Sequence, residues 1–116
     1  MNHTASVDVV AAFVADARAA GADVPFVVCV PVITDAFTVD VLQRFPGVSL
    51  DDADIAEVLG ADEPVAAGID HAARRARAVL AIDGVTGVNL SGPACGGTPI
   101  DSARIMVRVA EVVMSA

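Results

Sequence analysis

The stretch VPFVVCVPVITDAF, residues 24–37, decides the fold of this chain. Between positions 26 and 33 it is almost continuously apolar and rich in β-branched side chains, with one proline before the run and another inside it. Such a run is typical of a strand covered on both faces, as in a parallel sheet packed between helices. The sequence has one further strand candidate, GVTGVNL at residues 84–90. Two strands alone would leave open edges and apolar faces in water, so we expect a piece of a larger sheet.

The composition excludes several classes of function. With 116 residues, 55% of them hydrophobic, the chain suits one folded domain and is too apolar for disorder. Seven arginines and no lysine stand against 15 acidic residues, and the resulting net charge of −8 repels nucleic-acid phosphates. The longest apolar run is too short to span a bilayer, and the amino terminus lacks the pattern of a signal peptide. We therefore expect a cytoplasmic domain with neither nucleic acid nor membrane as a partner.

Helices are predicted around both strands. Ser6 is suited to cap a first helix over residues 7–20, and a long helix with proline in its first turn is predicted over residues 64–82. Two short helices precede the long one. Thr98 and Asp101 have the spacing of a capping box for the last helix. The predicted order is α-β-α-α-α-β-α, an α/β chain in which helices join parallel strands.

Apolar periodicity predicts the buried face of each helix. On the first helix the stripe includes Phe13 and Val14, and on the long helix it includes Val65 and Val79. His71 falls outside the stripe, beside three arginines. We therefore interpret it as a surface histidine.

Polar residues follow each predicted strand, where sites in parallel α/β proteins gather. Thr34, Asp35 and Phe37 come after the first strand, and Asn89 and Ser91 mark the end of the second. A carboxylate such as Asp35 can act as a base or accept a hydrogen bond from a polar ring, and Phe37 can stack on such a ring. The alternative is that Asp35 only caps the helix that follows it. These five residues are our predicted substrate-binding set, and we assign no catalytic residue or metal ligand.

The loop SGPACGGTP, residues 91–99, allows two interpretations. Its backbone N–H groups precede a helix and could cradle an anion, although the sequence has neither a GK[ST] nor a GxGxxG motif. A flexible turn followed by a helix cap explains the same glycines, and we favour it. Cys95 could act as a nucleophile only beside a base. Cys29 and Cys95 are expected to be reduced thiols, with a disulfide between them as the less favoured alternative.

Three segments, in this order, look like consecutive parts of one enzyme barrel. AAFVADARAAGADVPFVVCVPVI, residues 11–33, resembles a helix and Ala-Gly turn leading into a strand that ends Pro-Ile or Pro-Val. RFPGVSL, residues 44–50, resembles the segment after that strand. DEPVAAGIDHAARRARAVLAIDGVTGVNL, residues 62–90, resembles the long helix that leads to the final strand. The family is that of the methylenetetrahydrofolate reductases, and the resemblance covers roughly residues 7–90.

Members of that family are (β/α)8 barrels that bind flavin and reduce methylenetetrahydrofolate with a nicotinamide donor. The resemblance therefore implies a partial TIM barrel, its last two parallel strands with flanking helices, in a single partial-barrel domain over residues 1–116. It implies FAD, held mainly by segments that this sequence does not contain, and a folate-type small molecule. The missing strands would come from another chain or from self-association.

The resemblance also implies an aromatic residue after the penultimate strand that helps to hold the folate. Phe37 is the closest match, with Leu42 and Phe45 as alternatives. Cys29 stands where the family usually has Gly, and NLSGPACGG, residues 89–97, replaces the family's aromatic ending. We expect a carboxyl-terminal part or split subunit of a divergent flavin oxidoreductase of one-carbon metabolism, inactive alone. The alternatives are a non-catalytic structural or interaction module derived from the barrel, and a decayed fragment.

Overall fold

The computed structural model describes residues 6–46, 48 and 50–115. These residues form five helices and two strands: α1 Val7–Ala19, β1 Phe26–Pro31, α2 Ala36–Gln43, α3 Asp52–Leu59, α4 Pro64–Leu80, β2 Val85–Ser91 and α5 Pro99–Met114. The predicted α/β class and the order α-β-α-α-α-β-α are confirmed, with element ends that differ from the prediction by one or two residues.

The two strands are hydrogen-bonded neighbours and run parallel. Val28 lies opposite Val88 and Cys29 opposite Asn89, so the side chains of each pair project from the same face of the sheet. No third strand joins this sheet within the part of the chain that the structure describes. Within the described residues, each strand therefore pairs with the other strand along one edge.

The main core lies between three helices and one face of the sheet. Val28 and Val30 of β1 pack there with buried side chains of α1, α4 and α5. On the opposite face, Val27 is 49% exposed, Cys29 is half-buried and Asn89 is exposed; we call these three residues the open face. The prediction that β1 is covered on both faces is wrong for this chain, because the helices that pack on the sheet share one core.

A second, smaller core covers the carboxyl end of β1. It combines Ile33 with Val39 and Leu42 of α2 and Val58 of α3. α4 closes over the same region at Gly68, where a methyl group in place of the glycine hydrogen would lie only 2.1 Å from the backbone oxygen of Ile33. Glycine is therefore required at this position, because any side chain would push α4 away from the strand end.

The helix ends follow the predicted capping residues. Ser6 Oγ accepts a hydrogen bond from the N–H of Val9 at 3.3 Å. The box at α5 is present in both directions: the N–H of Asp101 donates to Thr98 Oγ1 at 3.2 Å, and the N–H of Thr98 donates to Asp101 Oδ2 at 3.1 Å. These bonds satisfy N–H groups that the first helical turn leaves without intrahelical acceptors.

Two residues of the predicted apolar stripes are exposed instead of buried. Phe13 lies on the outer side of α1, where its ring meets the ring of Phe26 edge-on with 6.3 Å between centroids. Val65 lies in the first turn of α4, ahead of the residues that reach the core. Val14 and Val79 are buried as predicted.

Candidate functional site

The carboxyl ends of the two strands are joined by side chain to backbone hydrogen bonds. Thr34, directly after β1, is buried, and its hydroxyl donates to the backbone oxygen of Ala94 in the loop after β2. Ala94 is itself buried and has a φ of 64°, a left-handed conformation that is uncommon outside glycine. The bond from Thr34 thus holds a sterically unfavourable turn in place.

Asp35 makes the second connection between the same loops. Its Oδ1 accepts from the N–H of Thr38 at 2.8 Å, which caps α2, and its Oδ2 accepts from the N–H of Gly96 at 2.7 Å. The interpretation of Asp35 as a helix cap is confirmed, and the bond to Gly96 adds a link that spans 61 residues of sequence. We call Thr34, Asp35, Ala94 and Gly96 the closed end of the molecule.

Phe37 lies beside the closed end with its ring accessible. Its side chain is 53% exposed, and a Cβ built on Gly96 would lie 3.2 Å from Phe37 Cβ, so the loop after β2 packs against the base of this side chain. Of the two alternative folate-stacking residues, Leu42 is buried in the smaller core, so its side chain is not accessible to a ligand. Phe45 is 56% exposed and retains such a surface.

Asn89 and Ser91 lie at the end of β2 and differ in surroundings from Thr34 and Asp35. Asn89 belongs to the open face, where its Nδ2 lies 3.7 Å from Cys29 Sγ. The hydroxyl of Ser91 donates to the backbone oxygen of Asn89 at 3.2 Å. The predicted set is therefore divided: Thr34 and Asp35 hold the loops together, whereas Phe37 and Asn89 are accessible to a ligand.

In the loop after β2, the backbone N–H groups of residues 95–98 already donate hydrogen bonds within the chain. All four of these consecutive donors bond within the chain: Cys95 to Pro93 O at 2.8 Å, Gly96 to Asp35 Oδ2 at 2.7 Å, Gly97 to Cys95 Sγ at 3.4 Å and Thr98 to Asp101 Oδ2 at 3.1 Å. An anion or the pyrophosphate of FAD needs such donors, so this segment does not fit either. The favoured alternative, a turn followed by a helix cap, accounts for the loop.

The cysteines are free thiols, as expected, and form no disulfide. Cys95 Sγ lies 3.6 Å from Ser102 Oγ and accepts from the N–H of Gly97, and neither group is a base that could activate the thiol. Among the described residues, no cluster of three or more His, Cys, Asp or Glu side chains is arranged to hold a metal ion.

His71 is buried, which corrects its prediction as a surface histidine. Its Nε2 lies 3.2 Å from Asp54 Oδ1 of α3 and 4.0 Å from Glu57 Oε2. The predicted apolar stripe of α4 does not include His71, because the ring is covered by α3, which packs against α4 on the side next to the core. The signal in the sequence was Gly68, three residues earlier on the same side of the helix, which marks the face that α4 buries.

Charged residues on the exposed side of α4 form ion pairs with the acids of α3 and of α4 itself. Arg74 contacts Glu57 at 3.0 Å and Asp70 at 2.8 Å. The hydrogen bond to Asp70, and to a lesser degree the one to Glu57, raises the pKa of Arg74. Arg75 lies 3.9 Å from Asp54. The arginines of α4 thus serve contacts between helices and do not form a separate basic site.

Comparisons of the chain with protein-family models, with curated proteins and with solved structures find no match. The resemblance to methylenetetrahydrofolate reductases remains a prediction from the quoted segments. Within the described part of the chain, none of the helices has both the length and the apolar character needed to cross a membrane.

Proposed function

We propose that this chain is the carboxyl-terminal part or a split subunit of a methylenetetrahydrofolate-reductase-like flavin oxidoreductase that serves folate metabolism in the cytoplasm. The observation that carries the proposal is the one-sided sheet. Two strands consecutive in sequence are parallel neighbours, and the helices that pack on them share one face. Neighbouring strands of a (β/α)8 barrel have this arrangement, whereas a doubly wound sheet has helices on both faces.

On this proposal the open face lines the inside of the completed barrel, and the closed end lies at the rim where barrel enzymes bind substrate. Phe37 stacks on the pterin ring of the folate, and Asn89 hydrogen-bonds its polar groups. Asp35 keeps acceptor capacity, since a carboxylate offers about four lone-pair positions and two are used by N–H groups. Its two bonds within the chain hold it in one orientation for a ring N–H.

The flavin belongs to the other chain in this proposal. The resemblance assigns most flavin contacts to strands that the sequence does not contain, and the donors of residues 95–98 are already engaged. When bound, the flavin supplies hydride transfer to the folate. The role of this chain is to position the folate and to close the barrel against water.

The proposal is tested by mixing the full chain with a second chain that carries the first six strands of a methylenetetrahydrofolate reductase barrel. We expect a complex that retains flavin absorbance through gel filtration and reduces methylenetetrahydrofolate with a nicotinamide donor. Phe37→Ala should leave flavin retention intact and raise KM for the folate. Phe45→Ala tests the alternative stacking residue, because Phe45 is similarly exposed but lies beyond the end of α2; a raised KM in this variant and not in Phe37→Ala would assign the stacking role to Phe45. Failure to retain flavin with such partner chains contradicts the proposal.

The second candidate is a non-catalytic structural module that uses the barrel geometry for assembly. The hydrogen bonding at the closed end favours it, because Thr34 is buried and Asp35 binds two backbone N–H groups of its own chain. Phe37→Ala and Asn89→Ala distinguish the candidates, since both side chains are accessible and neither holds the loops together. Unchanged activity in both variants, with assembly intact, would support the structural module.

A further inference from the structure

The exposed side of α2 carries an aromatic ring near one end and a guanidinium at the other. The buried side of this helix is formed by Thr38, Val39 and Leu42. Phe37 and Arg44 are both exposed. They are seven positions apart, which is about two turns, so they lie on the same side of the helix. Arg44 directly follows α2 with helical backbone angles, φ −80° and ψ −16°, and so stays in line with it.

The guanidinium of Arg44 keeps donors for a ligand. Its side chain is 76% exposed, and within the described residues it forms one ion pair, from Nη2 to Asp40 Oδ2 at 2.8 Å. A guanidinium has five N–H groups in a planar fork, and this contact uses only one of its nitrogens. Because an exposed pair four residues apart on a helix contributes little stability, a carboxylate of a ligand can displace Asp40 or bind beside it.

Arginines elsewhere in the chain hold elements together. Arg74 of α4 pairs with Glu57 of α3 at 3.0 Å. Arg77 of α4 donates to the backbone oxygen of Ser115, just beyond α5, at 2.9 Å. The ion pair of Arg44 instead stays within its own helical segment and joins no two elements. Its guanidinium is therefore available for recognition on the side of α2 that carries Phe37.

We propose that Phe37 and Arg44 bind the two ends of one ligand, an aromatic ring that carries a carboxylate on an extended linker. The helical rise of 1.5 Å per residue places the Cα atoms of the two residues about 10 Å apart. In folate the pterin ring and the glutamate carboxylates are the two ends of the molecule, joined by an aminobenzoyl linker. The inference rests on the proposed function for the identity of the ring, and it adds Arg44 as the residue that recognises the glutamate.

The charge of the chain gives this arginine a specific effect. The net charge of −8 repels a ligand with two carboxylates, so binding needs a local cation. A guanidinium binds a carboxylate through two parallel N–H bonds. Asp40 acts in the opposite direction, because its carboxylate competes for Arg44 and repels the carboxylates of the ligand. Arg44 therefore favours a ligand with a charged tail, and Asp40 disfavours it.

The test compares two probes on the full chain: tetrahydrofolate, and its diamide, in which both glutamate carboxylates are amides. Phe37 and Arg44 are exposed in the single chain, so no partner chain is needed. Titrations followed by NMR chemical shifts give a Kd for each probe. We expect tetrahydrofolate to bind about two- to fivefold more tightly, because one exposed ion pair supplies the difference. Phe37→Ala should weaken both probes equally, since both contain the ring.

Substitutions of the charged residues assign the preference. Arg44→Gln should abolish the preference for tetrahydrofolate over the diamide, and Asp40→Asn should increase it. Arg108→Gln is the matched control, because Arg108 is also an exposed arginine paired along its helix, with Glu111 at 3.3 Å, but lies on α5. This variant should keep the preference of the unmodified chain.

Equal Kd values for the two probes on the unmodified chain overturn the inference, and so does failure of both to bind. A preference that survives Arg44→Gln also overturns it, because another residue then binds the carboxylates. These outcomes are distinguishable from failure of the proposed function. A chain that distinguishes the probes but never retains flavin with a partner chain contradicts only the proposed function. Flavin retention and folate reduction without discrimination between the probes contradict only the role of Arg44.

Discussion

The closed end and the open face differ in hydrogen bonding and in burial, although both are built from the same two strands and the loops that follow them. At the closed end, Thr34 and Asp35 use their side chains to bond the backbone of the loop after β2. On the open face, Val27 and Asn89 remain largely exposed. Polar groups of the loops are therefore satisfied within the chain, whereas this part of the strand surface is accessible to solvent.

The largest effect is expected where α4 meets the closed end. Gly68→Ala places a methyl group about 2.1 Å from Ile33 O, so α4 has to move, and we expect a loss of about 3 kcal/mol in the free energy of unfolding measured with urea. Gly87→Ala is the matched control. Its methyl group would meet only Val27 Cγ2 at 3.8 Å, an ordinary contact. Equal losses in the two variants would contradict the distinction between the closed end and the open face.

Removal of the Thr34 hydroxyl at the closed end should lower stability by less than the Gly68 substitution does. Thr34→Val deletes the donor to Ala94 O and leaves a buried carbonyl without that bond, which should cost about 1–3 kcal/mol in urea denaturation. Thr86→Val removes an exposed hydroxyl whose bond to Phe26 O is long, at 3.5 Å, and should change stability by less than about 0.5 kcal/mol. A stable Thr34→Val variant would show that the loops are held by packing instead of by this bond.

Asp35→Asn should lower stability less than Gly68→Ala does, because the amide keeps one acceptor oxygen. It loses the charge that strengthens both bonds to N–H groups. We expect about 1 kcal/mol of destabilisation and faster amide hydrogen exchange at Gly96. Asp40→Asn is the control, since Asp40 forms an exposed pair with Arg44 at 2.8 Å and exposed pairs contribute little. Unchanged exchange at Gly96 in Asp35→Asn would contradict the role of this carboxylate as a link between the loops.

The smallest effect concerns pH and the cap of α5. Hydrogen bonds from the backbone N–H and the hydroxyl of Thr98 lower the pKa of Asp101 from its usual 3.8. A lowered pKa in the folded state stabilises the protein above the unfolded pKa, and this contribution is lost as the pH falls through the folded value. Asp101→Asn should therefore lower Tm at pH 7, and the difference from the unmodified chain should shrink below about pH 3.8. A Tm difference that is independent of pH would exclude the ionised carboxylate as its source.

Local features were predictable because the groups that form them are close in sequence. The cap at Ser6 and the box of Thr98 and Asp101 join residues three positions apart. β1 was predictable because a short β-branched run between prolines favours extended backbone. The burial of its two faces was not, because that depends on which helices pack on the sheet. The candidate site shows the same division: the position of Asp35 after β1 predicted its cap, whereas its bond to Gly96 joins residues 61 positions apart.

The sequence by itself determined the order of elements, the helix caps and the acidic, apolar character of the chain, since these depend on composition and on neighbours within a helical turn. Within the described residues, tertiary structure alone decided that α3 buries His71, that Gly68 admits no side chain and that the helices α1, α4 and α5 share one core against the sheet. Those outcomes depend on contacts between elements far apart in sequence, where a shift of a few ångströms decides whether a residue is buried or exposed.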